Sequence, residues 1–328
     1  MKETVSRLKG DFIVLDLGAA HTLGLLEEAP GLTGAITLVE VDALLGETQQ
    51  QASKVNRICL RKAVAGKRGK RVFKRRKFPE CSSFLDPIRE RVEAYGLQDY
   101  FLEVGSVELE CETIAELLGE HGIKRVDLFK TDLEGMDFEV LASAPALVQQ
   151  ALCVQSELRF QPFFQGEPSF HEVAGYLAGL GFELICLRPA VWKYATPNRR
   201  LQRDGRTVWA DTVFFLNPIS VRERFGPEAW KCFAKQVILA RLLGLGNFAE
   251  HLQGQAAAEF PEAVRKELAR FVRPGFSLPR LVLAQINRLP LGWMVVGAAR
   301  RLCRYGYRTA ALYPDDHLGS VDSLGSGP

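Results

Sequence analysis

FIVLDLGAAHT (residues 12–22) holds a continuous apolar run that ends in an acid and then a glycine. Such a run predicts a central parallel strand covered on both faces, because a half-exposed strand would alternate apolar and polar residues. Working outward, a short helix is predicted over 23–29, stopped by Pro30 and Gly31. Residues 35–41 read as a second strand and 57–60 as a third. Residues 61–79 are basic and contain Gly66 and Gly69, which suits a loop or a hairpin with an exposed face. A helix over 112–121 has Thr113 as N-cap and Gly122 as stop. A strand over 125–131 leads through Asp132-Leu-Glu-Gly135 into a helix running to about Ala144 and ended by Pro145. Further strands are read at 152–158, 182–187 and 207–216, with a helix over 170–180 closed by Gly181. Strands alternating with short helices indicate an α/β fold whose mostly parallel sheet is wound on both faces.

From about Ser220 the pattern changes to helices only, so 1–218 reads as the sheet domain, 219–316 as a helical basic extension and 317–328 as a frayed tail. A chain of 328 residues suits two units at roughly 150 residues each. With 47% apolar and 25% charged residues, the composition excludes a largely disordered protein. The net charge of +3 is too small to imply a nucleic-acid binder, but it conceals a segregation. Residues 57–77 hold eleven Lys or Arg and no acid, and residues 265–308 hold ten against one Glu, so the remainder is acidic. Seven cysteines stand singly with no CxxC, which argues for packed thiols in a reduced, cytoplasmic setting. No signal-like apolar stretch precedes residue 12. The most apolar late stretch, 281–299, is interrupted by Asn287, Arg288 and Pro290, so no transmembrane segment is expected.

Ligands of such sheets bind outside the carboxyl ends of the strands, near the point where strand order reverses. Gly18, lacking a Cβ, lets the backbone turn sharply there and approach a ligand. Glu40 and Asp42 follow the second strand, where a carboxylate can accept ribose hydroxyls. A dinucleotide site would favour G-x-G-x-x-G, yet Ala20 and His21 to Leu23 occupy the positions after Gly18. A nucleoside cofactor without phosphate needs less clearance, and a tight turn without any ligand is the alternative.

VLDLGAA followed by ITLVEVDA resembles the first two strands of class I S-adenosylmethionine-dependent methyltransferases. VDLFKTDLEGMDFEVL (126–141) is similar to the hallmark of the FkbM family, a strand ending Lys-Ile-Asp-Val-Glu-Gly and then a helix. Cys81-Ser-Ser83, the helix around 112–118 and ALCVQSEL (151–158) fall in the expected order, and the likeness covers roughly 11–216. The resemblance implies a Rossmann-like sheet, S-adenosyl-L-methionine as cofactor, and methyl transfer to a hydroxyl of a small molecule, glycan or lipid-linked sugar. It places Asp16 and Gly18 at the methionine and nucleoside end and Glu40 on the ribose, with Ala19, Ala20, Val41 and Asp42 completing the cofactor site. Asp132 and Glu134 would stand at its mouth. The chain departs from the family at Ala20, His21 and Thr22, where Asn and a later Gly are usual, and at Met136-Asp137.

The methyl of a sulfonium is already activated, so the protein must align an acceptor and remove its proton. Asp132 is the first candidate for that base and Glu157 the second, with Glu134 beside them. Against these roles stand a capping role for Asp132 and a helix-dipole role for Glu134. Lys130 would pair with either acid. Ser82 and Ser83 read by default as a polar loop, with contact to substrate as the alternative, and His171 reads as solvated or packed. No His, Cys and carboxylate cluster has metal-ligand spacing, and no Gly-x-Ser-x-Gly elbow is present. The basic blocks at 57–77 and 265–308 are either solvated or packed faces, or surfaces for anionic partners such as a phosphorylated sugar, lipid headgroup, anionic membrane or RNA. The alternative function is therefore a non-catalytic methyltransferase-like protein that binds a glycan, lipid or RNA through those surfaces.

Overall fold

The computed structural model describes residues 2–8, 12–18, 32, 35–43, 56–196 and 205–272. Helix α1 (Lys2–Leu8) precedes strands β1 (Phe12–Leu17), β2 (Ile36–Val41) and β3 (Asn56–Leu60). The central sheet is completed by β7 (Leu128–Thr131), β8 (Cys153–Arg159), β9 (Phe182–Trp192) and β10 (Arg206–Leu216), in the order β3-β2-β1-β7-β8-β10-β9. The first five of these strands run parallel, and β10 is antiparallel to both β8 and β9. Chain order runs outward from β1 to β3 and then returns to β7 on the other side of β1. The gap between the ends of β1 and β7 is therefore the switch point. β1 is buried at every position but Ile13, as its unbroken apolar run requires.

A second sheet holds β4 (Ala63–Val64), β5 (Gly69–Arg76) and β6 (Glu103–Glu112), in the order β4-β6-β5. The basic segment at 61–79 thus forms strands, and β6 is a strand that sequence pattern does not announce. Its residues are mostly exposed on both faces, so no hydrophobic alternation marks it. α2 (Arg89–Ala94) is likewise unannounced. α3 (Ile114–Glu120) starts two residues later than expected, with Thr113 as cap; Glu116 closes a reciprocal capping box. α4 (Asp137–Ser143) ends before Pro145, and Pro145 itself opens α5 (Pro145–Gln150).

α6 (Phe170–Gly179) lies between β8 and β9, and α7 (Pro218–Phe225), α8 (Ala229–Leu242), α9 (Gly246–Gln255) and α10 (Glu262–Val272) follow the last strand. The core that fills the sheet includes side chains of α8 and α10. α8 is buried along its length and is docked by polar groups as well as apolar ones. Lys235 Nζ lies 3.0 and 3.1 Å from the Asp127 carboxylate, which also accepts the Ile13 N–H at 2.9 Å. Gln236 donates to the carbonyls of Leu216 at 2.7 Å and Leu152 at 3.3 Å. The predicted helix at 23–29, most of the basic block at 265–308 and the tail at 317–328 lie outside the described residues. No helix among the described residues is long and apolar enough to cross a membrane.

Candidate active site

Five strands of the central sheet contribute one residue each to a registered row: Cys59, Glu40, Asp16, Lys130 and Gln155. Registered neighbours share a face, and so do residues two apart along a strand. Glu157 and Arg159, beyond Gln155, therefore face the same way as Asp16 and Glu40. This brings both predicted cofactor acids and Glu157, the predicted acid of β8, to one face of the sheet.

Asp16 and Glu40 are fully buried. Lys130 Nζ donates to Asp16 Oδ1 at 2.6 Å, so Lys130 pairs with Asp16 and not with the acids of the following turn. Burial pushes the Asp16 carboxyl up and Lys130 pulls it back down. Glu40 Oε2 accepts from the Cys59 thiol at 3.4 Å and lies 3.7 Å from Arg57 Nη1. Each acid keeps one oxygen without a partner among the described residues: Asp16 Oδ2 and Glu40 Oε1 are buried and accept no hydrogen bond from them, and neither does Gln155 Oε1. Buried acceptors left unpaired cost about 1–3 kcal/mol each, so a row of them can take donors from outside the described residues.

Gly18 has φ +77°, and a Cβ there would be driven into the Asp132 carbonyl oxygen. The glycine's clearance is thus required by the chain itself. Its N–H donates to the Val41 carbonyl at 3.1 Å, and Asp132 N–H to that of Leu17 at 3.1 Å. The ends of β1, β2 and β7 are tied together by these contacts. Val41 is buried, and Asp42 is half-buried with its N–H on Leu60 at 3.2 Å. Ala19, Ala20, His21 and Thr22 lie outside the described residues.

After β7 the chain makes a tight turn before α4 begins at Asp137. Asp132 is therefore too far from the helix to cap it. Glu134 adopts φ +49°, strained for a residue with a Cβ, and is not in the first helical turn. Ser83 holds that strain: its hydroxyl donates to the Glu134 carbonyl at 2.7 Å. Ser82 Oγ accepts the Arg76 N–H at 3.0 Å, so both serines serve the chain. Asp132 is half-buried, and its carboxylate has no hydrogen bond or ion pair to another described residue.

Arg159 organises the other acids. One nitrogen, Nη2, lies 2.7 Å from Glu134 Oε2 and 2.9 Å from Glu157 Oε1, and Nη1 lies 2.9 Å from Glu167 Oε1. Glu167 is fixed in turn by the N–H groups of Phe163 at 2.8 Å and Phe164 at 3.0 Å. Burial pushes Glu134 up to about 8, opposed by Arg159 and assisted by Asp132. Burial also raises Glu157 strongly against the pull of Arg159, and lifts Asp137 to about 6. The turn after β7 and the end of β8 thus hold a set of carboxyls suited to proton handling near neutrality. Neither Arg159 nor Cys59 was singled out by motif. Alternation along β8 is the signal that places Arg159 beside Glu157.

The basic block at 57–77 is largely neutralised. Seven of its eleven cations face acids: Arg57 meets Glu40, Lys62 Glu112, Lys70 Glu108, Arg71 Glu139, Lys74 Asp86, Arg76 Glu103 and Lys77 Asp99. Most of these acids come from β6 or from loops distant in sequence, which removes much of the field an anionic partner would feel. Among the described residues no group of three or more His, Cys, Asp or Glu could hold a metal ion.

Residues 41–184 match the family model of the methyltransferase FkbM domain. The matched segment contains Cys59, Asp132, Glu134, Glu157 and Arg159; Glu40 lies just before it, and Asp16 and Gly18, on and after β1, lie outside it. The seven-stranded, mostly parallel sheet is the Rossmann-like fold expected of such a domain. None of the curated proteins or solved structures compared with the chain matches it.

Proposed function

We propose that this chain, whose residues 41–184 match the methyltransferase FkbM domain, moves a methyl group from S-adenosyl-L-methionine to a hydroxyl of a small molecule, glycan or lipid-linked sugar. One observation supports this reading above the others. The two acids near the ends of β1 and β2 stand side by side, Asp16 bordering the switch point, each with one buried oxygen lacking a donor among the described residues. A nucleoside with ribose hydroxyls and an amino-acid ammonium group carries the donors those oxygens lack. In this reading Glu40 accepts from the ribose and Asp16 from the methionine end, Gly18, Val41 and Asp42 border them, and Ala19 and Ala20, outside the described residues, are assigned to the same cofactor site.

When bound, S-adenosyl-L-methionine supplies a methyl already activated on its sulfonium. The chain's part is to orient the acceptor and to take its proton as the oxygen attacks. Asp132 is the proton acceptor in this proposal, because its carboxylate is not engaged by another described residue and it borders Gly18. Glu134 and Glu157, held on Arg159, orient the acceptor's polar groups. The test is calorimetric titration with S-adenosylhomocysteine. The intact protein binds, Asp16→Ala and Glu40→Ala bind weakly or not at all, and Asp132→Asn binds normally but loses methyl transfer. Absence of binding to the intact protein rejects the cofactor, and full transfer by Asp132→Asn rejects the base.

A further inference from the structure

Glu40 is held from one side only. Cys59, its registered neighbour on β3, donates its thiol to Oε2 at 3.4 Å, while Oε1 is buried and unpartnered. Arg57 is on the same face two residues earlier, but its Nη1 at 3.7 Å from Oε2 is beyond hydrogen-bond reach. It supplies charge without direction. The thiol is thus the one hydrogen bond that fixes how the Glu40 carboxylate is rotated among the described residues. The same division recurs on β1, where Lys130 takes one oxygen of Asp16 and leaves the other open.

We propose that Cys59 is a positioning residue for the cofactor's ribose: its thiol holds Glu40 Oε2 so that Oε1 is presented to a single ribose hydroxyl. This rests on the reading of Glu40 as the ribose acceptor. Only a protonated thiol can donate. Partial desolvation, and then Glu40 itself, raise the thiol of the otherwise exposed Cys59, so it stays a donor at neutral pH. A carboxylate with one oxygen committed accepts one hydroxyl in a defined direction, whereas an unrestrained one would have to be ordered when the ligand binds.

The experiment uses the full chain, calorimetry, and S-adenosylhomocysteine with its 2′-deoxy and 3′-deoxy analogues as probes. Cys59→Ala weakens S-adenosylhomocysteine binding by about three- to tenfold, the scale of one modest hydrogen bond. Cys59→Ser, which keeps a donor, restores most of the affinity. For one of the two deoxy analogues the loss on Cys59→Ala disappears, because the hydroxyl that Oε1 would hold is missing. A merely structural role for Cys59 would cost all three ligands equally, and that result overturns the inference, as does unchanged affinity in Cys59→Ala. Circular dichroism of the variants separates misfolding from lost contact. If the intact protein binds no S-adenosylhomocysteine, the cofactor reading falls and this inference with it. Intact binding with an unmoved Cys59→Ala removes this inference alone.

Discussion

Lys130 Nζ lies 2.6 Å from Asp16 Oδ1, and both side chains are buried. The contact joins β7 to β1 across the switch point and fixes which oxygen of Asp16 stays open. A buried ion pair of this kind adds little net stability, yet losing one member strands the other in a poorly solvated place.

Lys130→Met therefore destabilises the protein by about 3–5 kcal/mol and abolishes S-adenosylhomocysteine binding. Adding Asp16→Leu to it recovers part of the stability and none of the binding. Urea unfolding and calorimetry read the two effects separately, and a fully stable Lys130→Met would show that the pair is dispensable.

Stability should depend on pH through Glu134. Its carboxyl moves from an ordinary 4.5 to about 8 on folding, chiefly by burial. A raised carboxyl favours the folded state while protonated. That contribution is complete below 4.5 and is lost as pH rises through about 8. Glu157, raised in the same direction, reinforces it. Chemical unfolding at the two ends of this window shows a decline in the intact protein and a flatter profile in Glu134→Gln. An equally steep decline in the variant assigns the effect elsewhere.

Arg159→Met leaves Glu134, Glu157 and Glu167 without their shared cation and lowers stability by about 3–5 kcal/mol. Arg159→Lys rescues only part of this, because an ammonium cannot fork between Glu167 on one nitrogen and the other two acids on the next. Thermal unfolding of both variants measures the difference.

Gly18→Ala meets two obstacles at once, a φ of +77° and the Asp132 carbonyl. The backbone conformation alone costs roughly 1–2 kcal/mol, and the collision adds to it by pushing β1 from β7. The variant should lose cofactor binding even where enough folded protein survives to titrate. Normal binding would show that the turn after β1 has room to spare.

Lys235→Met uncouples α8 from Asp127. The remaining carboxylate keeps Arg125 at 2.9 Å but loses its buried partner, so a loss of several kcal/mol is expected in chemical unfolding. Asp127→Asn in the same chain recovers part of that loss, because the stranded charge is gone.

Much of the fold was readable because it rests on local chemistry. The run before Gly18, the acid after β2, Thr113 ahead of α3 and Gly181 after α6 each declare a boundary through their own conformational limits. β6 was not readable. Its ten residues carry four glutamates and expose most positions, so nothing in their spacing separates a strand from a loop. It is a strand because it pairs antiparallel with β5, whose Lys70 and Arg76 meet Glu108 and Glu103. The same pairing explains why the basic block looked like an open surface: its counter-charges lie up to some seventy residues away along the chain, as Glu139 does from Arg71.

The candidate site divides in the same way. Sequence alone determined that acids stand at or near the carboxyl ends of β1, β2, β7 and β8, because strand ends and the glycine turn are set by neighbouring residues. Which acid meets which cation was decided only by the tertiary structure. Lys130 reaches Asp16 rather than Asp132, Arg159 gathers Glu134, Glu157 and Glu167, and Cys59 touches Glu40. Those partnerships depend on the register between strands, and register comes from the packing of whole faces against a shared core, which no local stretch of sequence contains.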